Sequence, residues 1–130
     1  MILSIAVHGA PYSSQSAFSA VKFAEAAVAA DHEIYRVFFY HDGVRTGDAL
    51  AVTPQDEEPI IERWRALQRT HGCELALCIS AALKRGMLNA EESQRYDKLA
   101  ASIAPEFTVV GLGQLIDAIM ESDRFVTFAA

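Results

Sequence analysis

The reactive sulfur of this chain is limited to two residues, Cys73 and Cys78. Cys78 stands in ELALCISAALKRG, residues 74–86, where an apolar run stops and an alanine-rich, helix-like run begins. A reactive cysteine must be a thiolate, and the amides and dipole of a helix amino terminus favour that form. No acidic residue lies within three positions after Cys78 to oppose the effect. Lys84 and Arg85 are too far along a short helix to be its partners and read instead as a docking rim. The plain alternative is that Cys78 packs, because free cysteine is among the most buried residue types.

Cys73 is not a resolving partner within the chain. Extended residues rise about 3.3 Å each, which separates the two sulfurs by roughly 16 Å. The odd offset also sends them to opposite faces, and a disulfide needs Cα atoms within about 7 Å. Cys78 therefore acts alone or passes something to another molecule. A persulfide carrier fits: a thiolate takes on a sulfane sulfur and a second thiolate removes it.

The other polar candidates carry plainer readings. His8 ends the first strand and can face the crevice that Cys78 faces, steadying a thiolate or relaying a proton; equally, it is a polar residue at a strand end. His41 and Asp42 are adjacent in FFYHDG, so as strand residues they would point apart, and Asp42-Gly43 reads as a turn. Tyr12 sits in the first loop and either covers the site or decorates a surface turn. Phe38, Phe39 and Tyr40 read as packing or interface. GAPYSSQ after the first strand lacks the glycines and lysine of a phosphate loop, which counts against a flavodoxin-like nucleotide binder. GLGQL from Gly111 reads as a tight strand-to-helix turn. Arg63, Arg65 and Arg69 have acids nearby and read as solvent-facing. The four histidines show no metal-ligand spacing, so no metal and no cofactor are expected.

These residues need a frame. Strands are expected at Ile2 to Val7, Ile34 to Tyr40, Leu75 to Ile79, Phe107 to Val110 and Arg124 to Phe128. Helices are expected at Gln15 to Ala30, Pro59 to Thr70, Ser80 to Arg85, Glu91 to Ala100 and Gly111 to Glu121. Ser13, Ser14 or Ser16 would cap the first, and Gly72 would stop the second. Asp42 to Glu58 reads as a long surface loop with at most a short helical turn. The alternation predicts an α/β fold with a mostly parallel sheet and helices on both faces. In such sheets the reactive group lies beyond the carboxyl ends of the strands, which is where Cys78 falls.

The totals bound the rest. The 130 residues suit one domain, 1–130, and 52% hydrophobic content allows a sizeable core. A net charge of −6 and a pI near 5.1 argue against a surface built for nucleic-acid backbones. The start, MILSIAVHG, has no charged leader, and no run approaches the ~20 apolar residues of a membrane span, so a cytoplasmic protein is expected.

Four segments together resemble the DsrE/TusD family of small sulfur carriers: HGAPYSSQSAFSAVKFAEA, HEIYRVFFYHDGV, LALCISAALKRG and VVGLGQLIDAIMESDRFVTF. The resemblance implies a three-layer α/β/α sandwich on a parallel five-stranded sheet. It implies that Cys78 is the catalytic residue, receiving persulfide sulfur. It also implies two smaller homologous partner subunits in a dimer of heterotrimers, and a small acceptor protein with a cysteine on its tail. In one branch the relay ends in 2-thiolation of the wobble uridine of tRNA; in the other it serves dissimilatory sulfur oxidation. A subunit that only assembles, leaving the chemistry to its partners, is the competing reading. No role for His8 or Cys73 follows from the family.

Overall fold

The structure is a computed structural model that describes residues 1–130. Five strands form one sheet: β1 (Ile2–Val7), β2 (Glu33–Phe39), β3 (Glu74–Cys78), β4 (Phe107–Val110) and β5 (Arg124–Phe128). Their order is β4-β3-β2-β1-β5, and every pairing is parallel. Parallel neighbours need crossover connections, and helices supply them. These are α1 (Gln15–Ala29), α2 (Ile60–His71), the short α3 (Ile79–Lys84) and α4 (Ala90–Arg95), and α5 (Gly113–Glu121). The expected alternation and all five strands are present, with boundaries moved by a residue at most. The fourth helix is shorter than expected and stops at Arg95, where Asp97 takes a left-handed backbone with φ 54° that a helix cannot continue through. Helix α5 begins at Gly113, inside GLGQL, of which Gly111 and Leu112 make the turn from the strand.

Side-chain alternation assigns the two faces of the sheet. Leu3, Ile5 and Val7 of β1 join Val37 and Phe39 of β2 and Leu75 and Leu77 of β3 in the main core. On that side α1 contributes Ala20, Val21 and Ala24, and α2 contributes Ile60, Trp64 and Leu67. Phe39 meets Trp64 and Phe107 edge-on, with ring centroids 5.4 and 5.7 Å away. Small residues on α1 let its backbone lie close to the sheet. Ser14 takes the N-cap position without a capping bond; its Oγ meets Ser16 Oγ at 2.6 Å instead. Gly72 ends α2 with φ 71°, the left-handed stop its position predicts.

The other face centres on Arg36, which is buried. Its guanidinium donates to the Glu74 carboxylate on β3, to Asp117 Oδ2 on α5 at 2.8 Å and to the Gln114 carbonyl at 2.9 Å. Tyr35 also donates to Asp117, at 2.6 Å. Both reach one carboxylate because an irregularity in β1–β2 pairing, between Leu3/Ile34 and Ser4/Arg36, skips Tyr35. The Tyr35 hydroxyl, and after it the guanidinium, holds the Asp117 carboxyl below the ordinary range. Arg36 and Phe39 are three residues apart on one strand, so α5 and α2 cover opposite faces.

The segment after β2 is more ordered than the loop expected there. His41–Gly47 forms a 3₁₀ helix, and Asp48 bridges to Ile103. Tyr12 packs this region rather than the cysteine: its hydroxyl bonds Thr53 Oγ1 and accepts from the Ile61 amide. The three arginines of α2 are paired across elements rather than simply solvated. Arg63 binds Glu25 on α1, and Arg65 and Arg69 share Glu106 before β4.

Three substitutions test these contacts. Removing Arg36 strands two carboxylates, so Arg36→Ala should lower unfolding free energy by roughly 2 kcal/mol in urea titration. That figure is at the low end because Glu74 and Asp117 keep contact with water. Gly43 lies against the Val7 carbonyl, and an added Cβ would collide with that oxygen. Gly43→Ala should therefore cost about 2 kcal/mol. Gly72→Ala has open space around it and only its left-handed backbone to satisfy, so it should cost about 1 kcal/mol.

Candidate active site

Register decides what surrounds Cys78. The row Ala6, Phe38, Ala76, Thr108 runs across four strands in one line. Two residues further along each strand, on the same face, come His8, Tyr40, Cys78 and Val110. Cys78 and Val110 are paired in register. Phe38 and Tyr40 meet edge to face at 6.0 Å, as do His8 and Tyr40. The chain thus places Cys78 on the α5 side of the sheet, at its carboxyl edge, with Tyr40 on one flank and Val110 on the other. The chain order reverses at β1, between β2 and β5. Cys78 lies two strands from that junction, so it borders the carboxyl edge without lying in the switch-point crevice.

Cys78 is the N-cap residue of α3, with extended backbone angles of −61° and 122°. Its side chain makes no capping bond to the helix amides. The expectation that those amides engage the sulfur is therefore not met; α3 is only six residues long and its sulfur turns elsewhere. Sγ lies 3.4 Å from the hydroxyl of Ser80. Ser80 is exposed, whereas Cys78 is only 1% exposed. The thiol is thus beneath the surface of the single chain, and the hydroxyl beside it is at that surface.

A second contact fixes the helix that carries the sulfur. Arg85, at the far end of α3, donates to Asp42 Oδ1 at 2.8 Å and to the Ala81 carbonyl at 3.0 Å. The Arg85 guanidinium holds the Asp42 carboxyl below its ordinary range. The 3₁₀ turn after β2 and the helix after β3 are thereby tied together. Arg85 is committed to this pair, and Lys84 is exposed. Of the two residues expected to form a docking rim, only Lys84 keeps its charge unpaired.

His8 shares the row with Cys78 but not its contacts. At about 4.8 Å per strand, Tyr40 stands between them and His8 is roughly 10 Å away. Its ring meets His41 at 5.1 Å, nearly perpendicular. Burial, and then the neighbouring His41, lowers the pKa of His8, so it favours the neutral form. His41 stacks on Tyr40 with ring centroids 4.2 Å apart and planes 8° apart. That stack is possible because His41 has φ 50°, a left-handed backbone unusual for a residue with a side chain. His8, Tyr40 and His41 thus form an aromatic cluster beside the cysteine rather than a shell around its sulfur.

Cys73 lies at the opposite end of β3. It is buried and lines a hollow of about 400 Å³ with His71, Gly72 and residues 31–35. Burial pushes its thiol up to about 11. The two cysteines are free and point to different ends of the sheet, as their spacing predicts. Sequence reasoning did not find Ser80 or the Asp42–Arg85 pair. The spacing of Ser80, two residues past an N-cap, was a usable signal; the ion pair joins residues 43 positions apart and left none.

The fold and the sequence resemble those of known proteins. A crystal structure of the ychN protein from E. coli superposes with a TM-score of 0.74, covering 98% of this chain and 99% of that one. At 22% identity that match speaks for the fold. The chain is 41% identical over 128 residues to the putative sulfurtransferase DsrE of Allochromatium vinosum, covering 98% of each. It is 44% identical over 128 residues to the sulfurtransferase TusD homolog of Pseudomonas aeruginosa, covering 98% of this chain and 97% of that protein. It is 40% identical to the sulfurtransferase TusD of Serratia proteamaculans over 124 residues, covering 95% of this chain and 96% of that one. The model of the DsrE/DsrF-like family matches residues 1–128. With the five-stranded parallel sheet and this breadth of similarity, the chain belongs to the DsrE/DsrF-like family, among the homologues of the DsrE and TusD sulfurtransferases.

Proposed function

We propose that this protein is a persulfide-carrying sulfurtransferase subunit with Cys78 as its catalytic residue. The observation that carries the reading is the position of Cys78: a free thiol at the carboxyl edge of the sheet, beside an exposed hydroxyl, in a chain like known sulfurtransferases. The Cys78 thiolate attacks the terminal sulfur of a donor persulfide. A new bond forms between Sγ and that sulfur, the donor S–S bond breaks, and the donor leaves as a thiolate. An acceptor thiolate then attacks the same terminal sulfur and releases the Cys78 thiolate. Electrons balance within each exchange, so no cofactor or metal is required.

Handing sulfur to a protein suits an acidic chain that need not grip RNA. The acceptor is a small protein with an accessible cysteine. The broader relay is assigned to 2-thiolation of the wobble uridine of tRNA in the cytoplasm. Similarity to the DsrE protein is almost as high as to the TusD homolog, which keeps dissimilatory sulfur oxidation as the second reading. The partners are two smaller homologous subunits in a dimer of heterotrimers. Leu112, Ile116, Ile119 and Met120 form an exposed apolar stripe on α5 that supports assembly. No helix is long and apolar enough to cross a membrane.

The burial of Cys78 favours one competitor, an assembly subunit whose thiol stays covered. Intact-mass analysis separates the two. Incubation with a sulfane donor should add one sulfur mass to the native chain, mapped to the Cys78 peptide, and Cys78→Ser should abolish it. Cys73, protonated at neutral pH because its thiol titrates near 11, should stay unmodified. Equal loading of the serine variant would reject the carrier assignment. Deleting the gene should remove 2-thiouridine from tRNA hydrolysates. Normal 2-thiouridine with lost sulfur oxidation would move the protein to the other branch.

A further inference from the structure

Resting on the carrier reading, we propose that Ser80 is the positioning residue that favours the thiolate of Cys78 and aims its sulfur toward the surface. The inference starts from what the sulfur does not touch. An N-cap side chain commonly accepts from the helix amides, but the Cys78 side chain makes no such bond. The hydrogen-bonding partner within reach of Sγ is Ser80 Oγ, at 3.4 Å. That distance is within the range for a hydrogen bond to sulfur, which is larger and more diffuse than oxygen.

Three features suit Ser80 to this role. A hydroxyl turns freely, so it accepts from the thiol and donates to the thiolate without moving a heavy atom. Ser80 is exposed while Cys78 is buried, so the hydroxyl joins the sulfur to solvent and offers the departing proton a route. The two residues share one short helix start, and the Asp42–Arg85 pair anchors the other end of that helix. The sulfur and hydroxyl therefore keep their mutual geometry as long as that anchor holds. The remaining flanks, Tyr40 and Val110, put an aromatic ring and an aliphatic group beside the sulfur in the strand row. Ser80 Oγ is thus the polar atom within hydrogen-bonding reach of the sulfur. A hydrogen bond to an ionised acceptor is stronger than one to a neutral acceptor, so its donor selects the thiolate.

The test is the pH profile of Cys78 alkylation by iodoacetamide, measured by peptide mass on the full chain. Ser80→Ala should move the midpoint up by about one pH unit, which makes alkylation at pH 7 about tenfold slower. Ser80→Thr keeps the hydroxyl and should restore the native midpoint. Ser80 is exposed near the helix start, so alanine is tolerated there, and circular dichroism confirms the fold. An unchanged midpoint in Ser80→Ala, or a threonine variant that behaves like alanine, overturns the proposal. Sulfur loading by intact mass is read in parallel. If the native chain loads sulfur while the alanine midpoint stays put, the Ser80 role fails and the carrier reading stands. If the midpoint moves but no chain loads sulfur, the hydroxyl acts on the thiol and the carrier reading fails.

Discussion

The site depends on a charge buried in the middle of the sheet. Arg36 is the guanidinium that joins β2 to β3 through Glu74 and to α5 through Asp117 and the Gln114 carbonyl. Arg36 and Glu74 are also register partners. A slip of one residue between these strands would move every side chain to the wrong face and leave a buried cation without its carboxylates. The apolar pairs further along the strands would tolerate such a slip far better. Four residues beyond Arg36 and Glu74 come Tyr40 and Cys78. The ion pair, nearer the amino ends of these strands, therefore sets which side chain stands beside the cysteine at their carboxyl end.

Cover and reactivity compete at that cysteine. Enclosure by the sheet row protects a thiol from adventitious oxidation, but enclosure also penalises its charged form. Cys73 illustrates the second effect alone: enclosed and without a side-chain partner, its thiol is pushed far above neutral pH. Cys78 differs in having a hydroxyl at hand and a surface one side chain away. The apolar stripe on α5 lies on the same face of the sheet as Cys78.

Much of the fold was legible because its signals are local. Alternating strand and helix runs, the glycine stop after α2 and the apolar spacing of Ile60, Trp64 and Leu67 all act within a few residues. The reading of Cys78 at a strand's carboxyl end before a helix was equally local, and the structure places it there. What remained hidden depends on contacts between distant segments. Tyr12 bonding Thr53, the arginines of α2 reaching Glu25 and Glu106, and Asp42 meeting Arg85 have no local pattern. The same limit explains the sulfur itself. Sequence predicts that a helix begins after Cys78, but not that the side chain will turn from the amides toward Ser80.

The order of the strands also bears on how the chain is made. Strands β1 to β4 add outward in sequence order, each beside the last, so they can associate as synthesis proceeds. β5 breaks that order by returning to the free side of β1, pairing Leu3 with Arg124. The first strand made therefore waits for the last, with one row of backbone amides and carbonyls open to any other extended chain in the interval. Sheet closure is thus the pairing with the longest sequence separation in the fold, and until it forms the open edge of β1 is the part of the sheet most exposed to misassembly.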